Sequence, residues 1–290
     1  MEQLLKAVAE LYLPLALGAA YAHAAKPSDD SVRTLSKAVT FGFLPLLLFS
    51  STYGSGNPSA GMIQMGVAAL IASATSLSTS YFITRDRELM LLSTYVNAGY
   101  LPIPVAYVLW GPEAVQLVGF YVLFNASIGY LLAPVLLRGS VKRGLLELAR
   151  FPPIYAVLSG ATLALLRLKV PEIALEVASR VGGAAPYLAL FTVGMQVAGI
   201  GFRNVGDAVK VGFTRFIIAP AVAWLTAPFY ARPGSLPYKV ALLEAAMPPA
   251  VTSAILCSIY SPSPARAGGT VVLLTLLSTA TLPLLLLLLA

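Results

Sequence analysis

The chain has 290 residues, of which 58% are apolar and only 11% are charged, and its mean hydropathy is +0.82. So few charged side chains cannot cover a soluble domain of this length, since about a quarter of the residues in such domains are charged. The charges fall between apolar runs of about 20 residues, the length that an α-helix needs to cross the hydrocarbon core of a bilayer. Composition therefore predicts a polytopic all-α membrane protein with no space for a separate soluble domain.

The charge balance and the rare metal-binding side chains exclude other classes of function. A net charge of +7 would suggest nucleic acid in a soluble chain, but these basic residues lie in short loops beside apolar runs, where they govern orientation. Cys257 is the single cysteine and His23 the single histidine, which excludes an intrachain disulfide and argues against a Cys/His metal site. We expect membrane lipid as a partner, and no nucleic acid, metal or other cofactor.

Ten apolar runs are long enough to be membrane spans. In chain order they are predicted at Ala7–Ala25, Val32–Ser50, Ala60–Thr84, Leu89–Leu109, Ala114–Leu137, Pro152–Leu168, Val177–Gly201, Val209–Tyr230, Tyr238–Tyr260 and Ala265–Ala290.

The distribution of basic residues predicts the orientation of these spans. Thirteen of the nineteen Lys and Arg residues lie on the side that holds the loops after the odd-numbered spans. By the positive-inside rule that side is cytoplasmic, so both termini are expected outside the cell membrane. The basic linker 138–150 is then cytoplasmic, and its segment 141–150 is either a short interfacial helix or a solvated connector.

Proline positions indicate an internal repeat. Four prolines of the first half recur in the same order in the second half, at offsets close to half the chain length. The pairs are Pro45 with Pro186, Pro104 with Pro249, Pro112 with Pro262, and Pro134 with Pro283. Two halves of five spans must insert with opposite orientation, because five is odd. The sequence therefore predicts inverted repeats at 1–137 and 151–290, an architecture common in secondary transporters.

The fourth and ninth spans each contain two prolines close together in sequence. Pro102 and Pro104 interrupt one span, and Pro248 and Pro249 interrupt the other. Proline removes a helical donor, and the freed backbone groups are tolerated in a membrane only where protein or a wet cavity satisfies them. Unless these prolines only bend packed helices, the two spans are broken and cross one another. The half-helices that restart after the breaks would then direct free amides at a carboxylate.

Polar side chains near these breaks are candidates for the substrate site. Asn97 is expected to contact the substrate or its cavity. Glu244 is either a proton or ion coupling site or a carboxylate that reaches the outer interface. Thr252 and Ser253 either cap the restarting half-helix or meet the substrate.

Two polar residues of other spans allow further interpretations. Arg215 is expected to extend to the headgroups or to attract an anion, and Asn125 to bond between helices.

The motifs around the two breaks resemble those of the auxin efflux carrier family, which includes plant PIN carriers and prokaryotic malate or malonate permeases. In that family an Asn in the fourth span precedes a Pro by seven residues, as Asn97 precedes Pro104. The ninth span carries Ala-Ala-(Leu/Met)-Pro followed in many members by Pro-Ala-Val-Thr, here residues 245–252. Similar sequences also open the sixth span and fall in the seventh and tenth, so the resemblance covers the whole chain.

The resemblance implies a carrier that moves small organic anions, often outward, by an elevator-like mechanism. Spans 1, 2, 6 and 7 would form a scaffold that usually dimerises, so a homodimer is expected. Spans 3–5 and 8–10 would move, with the substrate bound where spans 4 and 9 cross. Ser253 departs from the Asn common at that position in the family, and the linker is far shorter than in the plant carriers. Regulation by phosphorylation of a long loop is therefore not expected here.

Two rival classes of membrane protein fit the sequence less well than this carrier. A membrane enzyme would need paired acids or a nucleophile with its base inside the spans, yet all four aspartates lie in loops. A sodium-coupled symporter of the related bile-acid-carrier type would need clustered oxygen ligands, and the predicted crossing offers few. Neither an enzyme nor sodium coupling is preferred.

Overall fold

The computed structural model describes residues 2–54, 59–197, 205–261 and 264–289. Within these ranges the chain is helical, apart from short connections and one isolated β-bridge. The α-helices are α1 (Glu2–Ala25), α2 (Asp29–Ala38), α3 (Leu44–Gly54), α4 (Ser59–Ile83), α5 (Arg87–Thr94), α6 (Pro102–Trp110), α7 (Pro112–Arg138), α8 (Val141–Ala149), α9 (Pro152–Leu165), α10 (Glu172–Gly182), α11 (Ala185–Val197), α12 (Val205–Phe213), α13 (Ala219–Thr226), α14 (Leu236–Ala245), α15 (Val251–Tyr260) and α16 (Pro264–Leu289). The predicted end of the seventh span at Gly201, and Pro262 of the proline repeat, lie outside the described residues.

Among the described residues, five continuous helices are long and apolar enough to cross a membrane: Asp30–Gly54, Ala60–Ile83, Pro112–Arg138, Val205–Phe229 and Arg266–Leu285. Two of them contain a π-helical turn, at Val39–Phe43 and at Thr214–Ile218. A sixth is counted if the consecutive helices α8 and α9 form one broken span. The prediction of an all-helical, multi-pass membrane protein is thus confirmed, whereas the full count of ten spans stays a prediction.

Local sequence explains where several of these helices begin. The carboxylate of Asp86 accepts hydrogen bonds from the backbone N–H groups of Glu88 and Leu89, at 2.9 and 3.2 Å, and so caps α5. The hydroxyl of Ser140 caps α8 in the same way. Such caps satisfy amides that have no partner within the helix. The linker segment predicted as either an interfacial helix or a connector is therefore helical.

The chain divides into two compact units. Unit 1 contains residues 1–63, 99–123 and 151–199, and unit 2 contains residues 64–98, 124–150 and 200–290. The predicted repeats at 1–137 and 151–290 remain a prediction.

Unit 1 is held together by close backbone contacts between helices. A Cβ atom placed on Gly18 of α1 would lie 1.9 Å from the carbonyl oxygen of Phe191, and one on Gly194 of α11 would lie 2.0 Å from that of Leu15. Only glycine permits such an approach, and small residues commonly mediate helix packing in membranes. The two glycines therefore fix α1 against α11.

Unit 2 is joined at one end by an ionic cluster. The guanidinium of Arg266 in α16 donates to Asp86, which precedes α5, and to Asp207 in α12, with N–O distances of 2.7 Å to each. The hydroxyl of Tyr260 in α15 donates to a carboxylate oxygen of Glu147 in α8 at 2.8 Å. These contacts connect helices of unit 2 that are distant in sequence.

Candidate substrate site

Two interrupted segments carry the predicted site residues. Helix α5 ends at Thr94 and α6 begins at Pro102, while α14 ends at Ala245 and α15 begins at Val251. Proline is well tolerated in the first turn of a helix, where its missing N–H is not needed, and this explains why α6 begins at Pro102. In the second segment the consecutive prolines 248 and 249 cannot continue α14. The interruptions predicted in the fourth and ninth spans are therefore present.

The two interrupted segments of unit 2 pair with each other as extended chains. The backbone N–H of Asn97 donates to the carbonyl of Pro248 at 2.8 Å, and that of Ala250 donates to the carbonyl of Tyr95 at 2.9 Å. These bonds form an isolated antiparallel bridge between Val96 and Pro249. Unwound backbone thereby obtains partners inside the protein, as a bilayer requires. We call this pairing of residues 95–97 with 248–250 the crossing.

Asn125 of α7 stabilises the first of the two segments. Its side-chain amide donates to the carbonyl of Thr94 and accepts from the N–H of Val96, both at 3.3 Å, and the residue is only 1% exposed. Next to it, a Cβ on Gly129 would lie 2.3 Å from the ring of Tyr95, so glycine leaves space for that ring. The expected bonding of Asn125 between helices is confirmed, and its partners are the backbone groups of the break.

Arg215 stabilises the second segment in the same way, by hydrogen bonds to its backbone. It lies in the π-helical turn Thr214–Ile218 and is only 1% exposed. Its Nε donates to the carbonyl of Met247 at 3.0 Å, and its Nη2 donates to those of Ala245 at 2.8 Å and Glu244 at 3.4 Å. Its Nη1 donates to the hydroxyl of Ser76 at 2.9 Å. The expectation that Arg215 extends to the headgroups is therefore wrong, because its side chain points to the break.

The other predicted site residues near the crossing differ in burial and in hydrogen bonding. Asn97 is 5% exposed and Glu244 is fully buried, and both carboxyl oxygens of Glu244 lack a hydrogen-bond partner among the described residues. Ser253 donates its hydroxyl to the carbonyl of Ala250 at 2.5 Å. The structure shows no side-chain cap at the start of α15, so the capping interpretation of Ser253 is not supported. Thr252 is half-buried at the same end of α15.

Pro102 and Pro104 are buried in the first turn of α6 and belong to unit 1. The structure thus brings Asn97, Pro248 and Pro249 together within unit 2, with Ser253 in the adjoining turn. A contribution of Pro102 and Pro104 to the same site stays a prediction.

The importance of Arg215 could have been inferred from its position alone. It lies six residues inside the predicted span Val209–Tyr230, and ionisable residues within membrane spans are functional candidates by default. Its partners could not have been inferred, because three of them belong to a segment about thirty residues away and the fourth, Ser76, lies 139 residues away. Among the described residues, no group of three or more His, Cys, Asp or Glu side chains is placed to hold a metal ion.

Comparisons with known proteins find related sequences over most of the chain. Residues 134–286, more than half of the chain, match the family described as membrane transport protein. The chain is 27% identical over 273 residues to an uncharacterized transporter of Methanothermobacter thermautotrophicus, and the match covers 88% of each protein. It is 25% identical over 185 residues to an uncharacterized transporter of Methanocaldococcus jannaschii, covering 59% of this chain and 58% of that protein. The chain therefore belongs to the membrane transport protein family of the auxin efflux carriers, and it is a transporter and not an enzyme.

Proposed function

We propose that the protein carries small organic anions, carboxylates of the auxin-like or malate-like class, out of the cell by alternating access of the elevator type. The observation that carries this proposal is the buried guanidinium of Arg215 at the break between α14 and α15. The hydrogen bonds described for it go to neutral oxygens, and in this proposal its fixed positive charge stabilises an anion held at the break. A positive charge in a poorly hydrated site attracts anions far more strongly than one in water.

The crossing supplies groups suited to a carboxylate. The first amides of α15 have no acceptor within the helix and form the positive end of its dipole. The side-chain amide of Asn97 and the hydroxyl of Thr252 add donors. The hydroxyl of Ser253 donates to the carbonyl of Ala250, so it can donate to the carboxylate only after that bond breaks. In this proposal the carboxylate is held beside Pro248 and Pro249 by these donors.

We propose Glu244 as the proton-coupling residue of the carrier. Its carboxyl group is fully buried in the last turn of α14. Buried carboxyl groups within membrane spans commonly serve in proton relays. In this proposal the residue takes up a proton on one side of the membrane and releases it on the other, together with substrate movement.

The assembly follows the family architecture in this proposal. Two inverted five-helix repeats contribute the scaffold spans 1, 2, 6 and 7 and the moving spans 3–5 and 8–10. The scaffold joins two copies into a homodimer, and both termini lie outside the cell membrane. The orientation rests on the excess of basic residues in the loops after odd-numbered spans.

Transport into vesicles tests the proposed activity. Right-side-out and inverted membrane vesicles that contain the protein are supplied with labelled monocarboxylates or dicarboxylates, with and without a pH gradient or sodium. We expect saturable carboxylate movement that is stimulated by a pH gradient and unaffected by replacing sodium with choline. Strict dependence on sodium would favour the bile-acid-carrier alternative, and no movement of any carboxylate would refute the proposed substrate class.

A further inference from the structure

The break after α14 deprives two carbonyl groups of their usual donors. In an α-helix each N–H bonds to the carbonyl four residues earlier. Pro248 and Pro249 have no N–H, so the carbonyls of Glu244 and Ala245 lose their helical partners. Both of these oxygens accept from Nη2 of Arg215, at 3.4 and 2.8 Å. The carbonyl of Glu244 also accepts from the backbone N–H of Met247 at 3.2 Å. The guanidinium thus adds a donor to the carbonyl of Glu244 and supplies the donor described for that of Ala245.

Two further oxygens accept hydrogen bonds from this guanidinium. The carbonyl of Met247 accepts from Nε at 3.0 Å, and the hydroxyl of Ser76 accepts from Nη1 at 2.9 Å. We call the three carbonyl oxygens of residues 244, 245 and 247 and the Ser76 hydroxyl the oxygen cluster. It lies at the carboxyl end of α14, where the helix dipole is negative. Unwound carbonyls at such half-helix ends are the groups with which transporters hold coupling sodium ions.

We propose that the oxygen cluster is a monovalent-cation site whose resident cation is the guanidinium of Arg215. Its positive charge is permanent and covalently tethered, since arginine is not deprotonated in proteins. The carrier therefore binds no sodium at the broken ninth span, and the positive charge stays at the crossing through every step of transport. This inference does not depend on which substrate is carried.

The geometry explains why a guanidinium suits this site. The oxygens of the cluster come from the last two residues of α14, from Met247 in the break that follows, and from the separate helix α4. A guanidinium presents five N–H donors in a fixed planar arrangement, and three of its nitrogens are used here. The π-helical turn that contains Arg215 directs the side chain at these oxygens, and π-turns are frequent at functional sites.

Thermal unfolding of the purified full-length protein in lipid nanodiscs tests this proposal. Arg215→Ala empties the cluster and leaves a space, whereas Arg215→Met fills much of that space with an apolar side chain. Lys210→Ala is the matched control, because Lys210 is an exposed cation on the same helix. Each protein is unfolded in sodium, potassium or choline chloride at equal ionic strength, and in choline chloride with low millimolar guanidinium chloride.

The expected result is cation-specific stabilisation of one variant. Arg215→Ala should have a lowered Tm in choline chloride that rises saturably with sodium, potassium or guanidinium and recovers at least half of the loss. The wild type, Arg215→Met and Lys210→Ala should unfold at the same temperature in sodium as in choline. Equal Tm of Arg215→Ala in all four solutions would overturn the proposal, as would saturable sodium-specific stabilisation of the wild type.

Arg215→Lys keeps the proposal testable if neither neutral variant can be purified. An ammonium group is a cation with fewer donors, so this variant should be recovered folded and should show no sodium-specific stabilisation. Failure of the lysine variant to fold, or a saturable rise of its Tm with sodium, would contradict a resident-cation role. Because all readings are unfolding temperatures, they are independent of the transport assays that test the proposed substrate.

Discussion

Removing the side-chain amide of Asn125 should destabilise the crossing, although it leaves the backbone hydrogen bonds between residues 95–97 and 248–250 in place. In Asn125→Ala, the carbonyl of Thr94 loses a donor and the N–H of Val96 loses an acceptor, and both residues are almost fully buried. A buried group left unsatisfied costs about 1–3 kcal/mol. Both bonds measure 3.3 Å, beyond the optimum for N–H···O contacts, so we take about 1 kcal/mol for each.

The expected loss is thus about 2 kcal/mol, which corresponds to a Tm lowered by roughly 4–8 °C at about 2–4 °C per kcal/mol. Thermal unfolding of purified protein measures it. Ser159→Ala is the control, since that hydroxyl is exposed and bonds only to Ala156 in its own helix. Asn125→Asp keeps the acceptor but loses the donor and buries a charge, so it should be at least as destabilising. A Tm of Asn125→Ala equal to that of Ser159→Ala would refute the assigned role of the amide.

The remaining predictions address packing, coupling, assembly and orientation. Gly194→Ala should destabilise the protein by about 1–3 kcal/mol and lower its Tm, because the added Cβ would lie 2.0 Å from the Leu15 carbonyl oxygen. Gly206→Ala is the control and should leave the Tm unchanged, because an added Cβ there meets nothing within 4 Å. Equal Tm changes in the two variants would contradict the packing of α1 against α11. Glu244→Gln should transport carboxylate without stimulation by a pH gradient, and a wild-type response would remove Glu244 from coupling. Light scattering after size exclusion should give twice the 30.4 kDa chain mass, whereas a monomer would contradict the homodimer. In a Cys257→Ala background, Ser140→Cys should react only with a maleimide applied from the cytoplasmic side; labelling from outside would invert the topology.

Sequence patterns were sufficient for features that depend on short stretches of chain. Apolar runs of membrane length predicted the long helices, because a helix in lipid must satisfy its own backbone. Proline pairs predicted the interruptions, because Pro248 and Pro249 remove helical donors whatever surrounds them. The family followed from the motifs at residues 97–104 and 245–252, and the matched region 134–286 confirms it.

The sequence predicted that the fourth and ninth spans cross, but it could not predict which residues pair there. The pairing of Val96 with Pro249 joins residues more than 150 positions apart, and it depends on how whole helices are rotated and placed. Arg215 illustrates the same difficulty within one helix. A regular helical pattern does not predict the π-helical turn at Thr214–Ile218. One extra residue in such a turn changes the direction of the side chains. A position near the end of a predicted span therefore suggested a surface role for a side chain that is buried.

Saturable carboxylate transport by Asn97→Ala in proteoliposomes tests the central claim most directly. This substitution removes the side-chain amide but keeps the backbone N–H that bonds Pro248, so the crossing itself should persist. A hydrogen bond to a charged group contributes about 1.5–3 kcal/mol, and a loss of about 1.4 kcal/mol is tenfold in affinity. We predict that kcat/KM falls about tenfold or more while the Tm changes little. Saturable transport with unchanged kcat/KM would contradict the assignment of the crossing as the substrate site.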